Sequence, residues 1–140
     1  MKKTLFLLTC LSILLFTSCT PENRVIEKPV FLVSNTTFIE VSKVAITDTT
    51  TVLDFFARIR PNTRMKITQS CHLTDEKGNN YPVLAGNGIE LDQEIRMTES
   101  GKVEFQLVFP PLKRGTESIQ FSENGINIWG IQVKDNQLPP

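Results

Sequence analysis

The chain is short of the side chains from which most enzyme chemistry starts. It has one His, one Tyr and one Trp, and three Cys among 140 residues. Cys10 and Cys19 fall within the first nineteen residues. Cys71 is then the single thiol of the remainder, which excludes an internal disulfide, a Cys-x-x-Cys redox couple and a cysteine-rich zinc site there. No Ser-His-acid order, His-Glu-x-x-His helix or Gly-rich phosphate loop is present. Neither sign of charge is in excess, since 15 Lys and Arg balance 15 Asp and Glu, and that removes the basic footprint of a nucleic-acid binder. Heptads, internal repeats and long stripes of period 3.6 are missing, which argues against helical architectures. A hydrophobic content of 40% is too high for a disordered chain. Carboxylate-pair glycosidase chemistry is compatible with the composition, but it needs a cleft that a small β-domain is not expected to form.

What is present begins with an address. Lys2 and Lys3 precede an apolar run from Leu5 to Phe16, and Thr17-Ser18-Cys19 closes it. A charged start, a short apolar stretch and a small-residue end make a secretory signal. The run is shorter than the ~20 residues a spanning helix needs. Leu15-Phe16-Thr17-Ser18-Cys19 resembles the lipobox of bacterial lipoproteins, in the loose form used by the Bacteroidetes. Phe16 departs from the usual Leu three residues before the Cys. The resemblance implies a diacylglycerol on the Cys19 thiol, an acylated mature N-terminus, and a place on the cell envelope, the outer membrane in particular. The bland alternative is an ordinary cleaved signal with an incidental Cys. Two acyl chains anchor stably where one binds marginally. Loss of Lys2 and Lys3 leaves 13 basic and 15 acidic residues, so the body adds no electrostatic pull toward a membrane.

The expected layout is a signal peptide over 1–18, a polar tether over 19–28, a β-domain over 29–134 and a tail over 135–140. Val30-Phe31-Leu32-Val33-Ser34 is a short apolar run. Phe38–Thr47 is rich in β-branched residues and ends at Asp48-Thr49-Thr50, a turn. Val52–Arg60 alternates, with Leu53, Phe55, Ala57 and Ile59 on one face. Pro61-Asn62-Thr63 breaks it, and Arg64–Leu73 resumes a strand pattern. Asp75–Asn80 reads as a turn. Lys102–Phe109 is the clearest strand, with Val103, Phe105, Leu107 and Phe109 on one parity. Ser118–Glu123 and Ile126–Val133 join across Asn124-Gly125, a strong hairpin dipeptide. Seven to nine short strands bounded by turns predict an all-β sandwich.

Several segments resemble an immunoglobulin-like envelope domain of the Bacteroidetes: Glu40–Val44, Thr47–Leu53, Gly88–Leu91, Met97–Phe105, Phe109–Leu112, Thr116–Phe121 and Ile128–Ile131. The resemblance covers about residues 38 to 133. It implies a single immunoglobulin-like β-sandwich of antiparallel strands, a module that often precedes a thioredoxin-like or hydrolase domain. This chain has no such domain before Pro140 and lacks the acidic Gly-rich loop between Phe121 and Ile128. No fused activity is therefore carried over, and the module brings no catalytic residues with it.

Candidate chemistry is sparse. Cys71 and His72 are neighbours, and neighbours on a strand point to opposite faces. The expectation is a buried thiol on the parity of Met65 and Ile67. Glu90, Asp92 and Glu94 would share a strand face, but a straight strand spreads them about 7 Å apart, so no metal is expected. Asp48-Thr49-Thr50 resembles the O-glycosylation acceptor of the Bacteroidetes, and the turn reading explains it equally well. If Val52–Arg60 and Arg64–Leu73 form a hairpin, Arg60 meets Arg64 and Arg58 meets Lys66. Arg58, Arg60, Arg64 and Lys66 then form a basic ridge. It is either a solvated face or an anion-binding strip for an acidic glycan, lipid head group or protein. The functional expectation is a non-catalytic, lipid-anchored binding or spacer module without cofactors, with a protein or glycan partner. The alternatives are a carbohydrate-binding accessory domain and a non-catalytic subunit of an envelope enzyme encoded nearby.

Overall fold

The computed structural model describes residues 22–134. Residues 1–21, on which the expected signal peptide and Cys19 fall, and residues 135–140, the expected tail, lie outside them. The described residues form twelve strands and no helix: β1 (Asn23–Glu27), β2 (Val33–Ser34), β3 (Ile39–Thr47), β4 (Thr51–Arg58), β5 (Arg64–Met65), β6 (His72–Asp75), β7 (Asn80–Pro82), β8 (Ala85–Asn87), β9 (Ile95–Arg96), β10 (Lys102–Phe109), β11 (Ser118–Glu123) and β12 (Ile126–Gln132). Seven of them have four residues or more. The other five are short additions that raise the number above the seven to nine expected.

One sheet runs β1-β3-β4-β10-β8, the other β2-β12-β11-β6-β7, and β5-β9 is a small third ribbon. Every pairing is antiparallel. The period-two pattern decides which side chains face inward. Leu53, Phe55 and Ala57 of β4 and Phe105, Leu107 and Phe109 of β10 are buried, with Phe55 opposite Phe105 and Leu53 opposite Leu107. Phe55 stacks on Phe105 with ring centroids 5.2 Å apart and meets Phe121 of the other sheet at 4.8 Å. That triad ties the two layers, and each fully buried aromatic contributes about 1.5–3 kcal/mol. Asn124 and Gly125 have φ of 40° and 86°, the two positive angles that a type I′ hairpin requires.

Three expectations change. Residues 23–27 are not tether. They form β1 against β3, from Asn23 opposite Thr47 to Glu27 opposite Lys43. The alternation here is short and the flanks are polar, so the segment reads as linker until β3 offers it a partner. Arg64–Leu73 is not one strand either. Only β5 and β6 are extended, and a turn at Gln69-Ser70 separates them. Glu90, Asp92 and Glu94 fall between β8 and β9 and lie in no strand, so they share no strand face.

Candidate functional site

The expected basic ridge does not form. β4 has β3 on one side and β10 on the other, so no edge remains for Arg64–Leu73. Pro61–Thr63 does turn the chain, with Asn62 at φ 66°, but toward another partner. The Asn62 N–H donates to the Met97 carbonyl at 3.1 Å and the Met97 N–H to the Thr63 carbonyl at 2.8 Å. β5 therefore pairs with β9. Like charges do sit across strands, but with different partners: Arg58 opposite Lys102 and Arg64 opposite Arg96. Such pairs repel. Arg58 lies over the Phe56 ring at 5.2 Å, and Arg64 pairs with Glu94 at 3.2 Å. Arg60 and Lys66 are exposed in connecting loops. The four cations are thus not lined up across one hairpin.

Cys71 lies in the core and is fully buried. Burial, and then the Glu123 carboxylate, pushes its thiol far above the ordinary range, which makes it a poor nucleophile. His72 is directed away from it and its Nδ1–H donates to the Ser70 carbonyl at 3.0 Å. Glu123 was not singled out in the sequence, because it closes a strand as an ordinary charged residue. Parity turns it inward, and it accepts from the Thr68 N–H at 2.9 Å and the Thr68 hydroxyl at 2.7 Å. Asp92, Glu94 and Glu90 diverge. Asp92 accepts from the Gln69 N–H at 3.0 Å, Glu94 serves Arg64, and Glu90 is exposed. Among the described residues no group of His, Cys, Asp and Glu could hold a metal ion.

Two other regions carry more organisation. The first is the end of the sandwich where β1 begins. Asp75 is buried at the end of β6. Its Oδ1 accepts from the Lys77 and Asn79 N–H groups, each at 2.9 Å, and its Oδ2 from the Asn79 amide and the Tyr81 hydroxyl, each at 2.8 Å. Burial works against the charged form, yet these donors hold the Asp75 carboxyl down at about 2. The Tyr81 oxygen in turn accepts from the Lys113 N–H at 3.1 Å. Glu76 accepts from the N–H groups of Glu117 and Ser118 at 3.0 and 3.1 Å. Arg24 reaches inward from β1, where its Nη1 donates to the carbonyls of Val133 at 2.6 Å and Thr116 at 3.2 Å. Its Nη2 stands 2.7 Å from Glu22 Oε1 without hydrogen-bond geometry, an ionic contact. The loop around 113–117 is thus clamped from β1 and from the β6–β7 turn.

The second region is apolar. The chain leaves β1, crosses at Pro29 and joins the free side of β12. The Gln132 N–H donates to the Val30 carbonyl at 2.8 Å, Leu32 N–H to Trp129 at 3.0 Å and Asn35 N–H to Asn127 at 3.1 Å. The pairing so extends over residues 30–35, well beyond β2 itself. Val30, Phe31, Leu32 and Val33 are 48 to 75% exposed, and Trp129 is 36% exposed. Val33 is opposite Trp129. Leu32 lies over Gly130, where an added Cβ would stand 2.6 Å from the Leu32 side chain. Beneath this strap a cleft of about 280 Å³ opens between the sheets, lined by Phe31, Ile39, Val41, Ile128 and Ile131 with Thr36 at its rim. Ser34, Thr37 and Glu40 also border it, so the cleft has apolar walls and a polar margin. The arrangement suits contact with another surface.

The chain matches no family model, no curated protein and no solved structure.

Proposed function

We propose that this protein is a lipid-anchored, non-catalytic binding module of the bacterial envelope, held on the outer membrane through Cys19, with an immunoglobulin-like sandwich as its body. Its N-terminal signal and lipobox-like residues support the anchor. The observation that carries the reading is how soon the fold begins after that Cys. The Glu22 N–H donates to Asp48 at 2.9 Å, and its carboxylate meets Arg24. Only Thr20 and Pro21 separate this fixed residue from Cys19, a reach of at most about 11 Å. A lipid on Cys19 would hold the clamped end against the leaflet, with β2 and Trp129 presented from a domain that cannot drift away. This favours a module that binds close to the membrane over a long-armed spacer.

A second reading rests on the outer face of the β2-β12-β11-β6-β7 sheet. Thr74, Gln120, Ser122, Asn127 and Gln132 alternate with the buried side chains there, and none is charged. Such a face beside Trp129 suits a neutral glycan, by stacking and amide hydrogen bonds.

Metabolic labelling with a palmitate analogue tests the anchor. Wild type takes up label and its mature N-terminus is Cys19, whereas Cys19→Ala takes up none. Equal labelling of both, or a mature N-terminus elsewhere, rejects the proposal.

A further inference from the structure

Three of the four cations expected on a ridge gather instead at the β5–β9 ribbon, beside Arg96. Arg64 is opposite Arg96 and Met65 opposite Ile95. The Met97 N–H bonds the Thr63 carbonyl at 2.8 Å. That bond flanks the arginine pair, which is therefore of the non-hydrogen-bonded kind, with Cα atoms about 4.5 Å apart. Met65, Ile67 and Met97 are buried and Ile95 is partly buried. Alternation then turns Arg64, Lys66, Glu94 and Arg96 outward together, and all four are exposed. On the approach to β5 the Thr63 N–H bonds the Arg60 carbonyl at 3.2 Å. Pro61, followed by Asn62 at φ 66°, makes that a type II turn, which keeps Arg60 beside the start of the ribbon. Residues 60–66 and 94–99 hold four cations and two carboxylates, Glu94 and Glu99, a surplus of two positive charges. Arg64 pairs with Glu94 at 3.2 Å. Among the described residues Arg60, Lys66 and Arg96 have no ion pair.

We infer that the outer face of this ribbon is an oxyanion site, where the guanidinium groups of Arg64 and Arg96 grip one phosphate dianion, free or as a monoester. Lys66 and Arg60 stand on either side of the pair. The planar fork of an arginine donates two parallel N–H bonds to a phosphate, which a lysine cannot do. Like charges directly across two strands repel, and a dianion placed between them converts that repulsion into attraction. A phosphate monoester carries close to two negative charges near neutral pH, which matches the surplus. A carboxylate or a lipid phosphodiester carries one and leaves the second cation unanswered. The buried row of Met65, Ile67 and Met97 fixes the backbone beneath the pair, so the two arginines are brought together before any ligand arrives. The inference does not use the lipid anchor, and it stands or falls apart from Cys19.

Thermal unfolding of the full chain in detergent, at constant ionic strength and near neutral pH, provides the test. Inorganic phosphate or glucose 6-phosphate at about 20 mM, in place of chloride, raises the wild-type midpoint by about 3 °C. Arg64→Gln/Arg96→Gln cuts that rise below about 1 °C. Arg58→Gln, which lies on another face over Phe56, keeps the full rise. Acetate at the same concentration produces no rise in any form. If the double variant melts below wild type in chloride, Arg96→Gln alone, which gives up no ion pair, is judged by the same criterion. Glucose 6-phosphate acting at lower concentration than inorganic phosphate identifies an ester as the ligand, and equal action identifies the free ion. An equal rise in wild type and the arginine variants, as a general salt effect would give, overturns the inference. So does an equal rise with acetate, or no rise in wild type.

Discussion

The clamped end and the β2 edge are built from the same kind of chain and behave oppositely. At the end, nearly every polar group is used internally: Asp75 takes four donors, Tyr81 relays to Lys113, Glu76 holds two backbone N–H groups, and Arg24 holds two carbonyls. At the edge, large apolar side chains are held by one row of backbone bonds and stay about half or more exposed. The lesson is that stability and contact surface are divided in space. Polar groups with internal partners contribute to folding and are not available to others, whereas the exposed apolar strand adds little to folding and remains free for a partner.

The comparison would break if the end proved tolerant. Asp75→Ala leaves the Tyr81 hydroxyl and two backbone N–H groups without their acceptor, and should cost about 3 kcal/mol in urea unfolding. The same carboxylate gives a pH signature. Its folded pKa of about 2 lies below the ordinary 3.8, so its contribution, about 2 kcal/mol, is complete above pH 4 and disappears as pH falls from about 4 to about 2. Asp75→Asn should flatten the acid limb of stability in that window. An unchanged acid limb would mean that the cluster is not a clamp.

Arg24→Met should cost somewhat less, about 2 kcal/mol, because it frees two carbonyls while its ionic contact with Glu22 lacks hydrogen-bond geometry. Urea unfolding is again the measurement. A loss below 0.5 kcal/mol, the range of ordinary surface changes, would mean that residues 23–27 are a tether after all. At the other extreme, Val33→Ser at the edge should change stability by less than about 0.5 kcal/mol. A larger loss would make the edge part of the core and erase the distinction.

Pattern alone reached a good part of this. The alternation in Lys102–Phe109, the β-branched run before Asp48 and the Asn124-Gly125 hairpin located β10, β3 and the β11–β12 turn, because period, side-chain shape and turn chemistry are local properties. Cys71 was placed in the core by the parity of Met65 and Ile67, although a turn interrupts the strand that the parity assumed. The expected ridge of Arg58, Arg60, Arg64 and Lys66 failed for a non-local reason. Proximity in sequence favours a hairpin across Pro61–Thr63, but both sides of β4 are taken by β3 and β10, and residues 62–65 find their partners around Met97.

The order of residues by itself therefore determined that the described residues are all-β, where their main strands run, and that the sequence opens with a basic, short apolar segment ending at Cys19. Tertiary structure alone decided which strands are neighbours, that Arg24 and Glu123 face inward, and that residues 30–35 remain at an open edge. Strand formation depends on the period of a few adjacent residues. Pairing and exposure depend on which distant segment reaches each edge first and satisfies its hydrogen bonds.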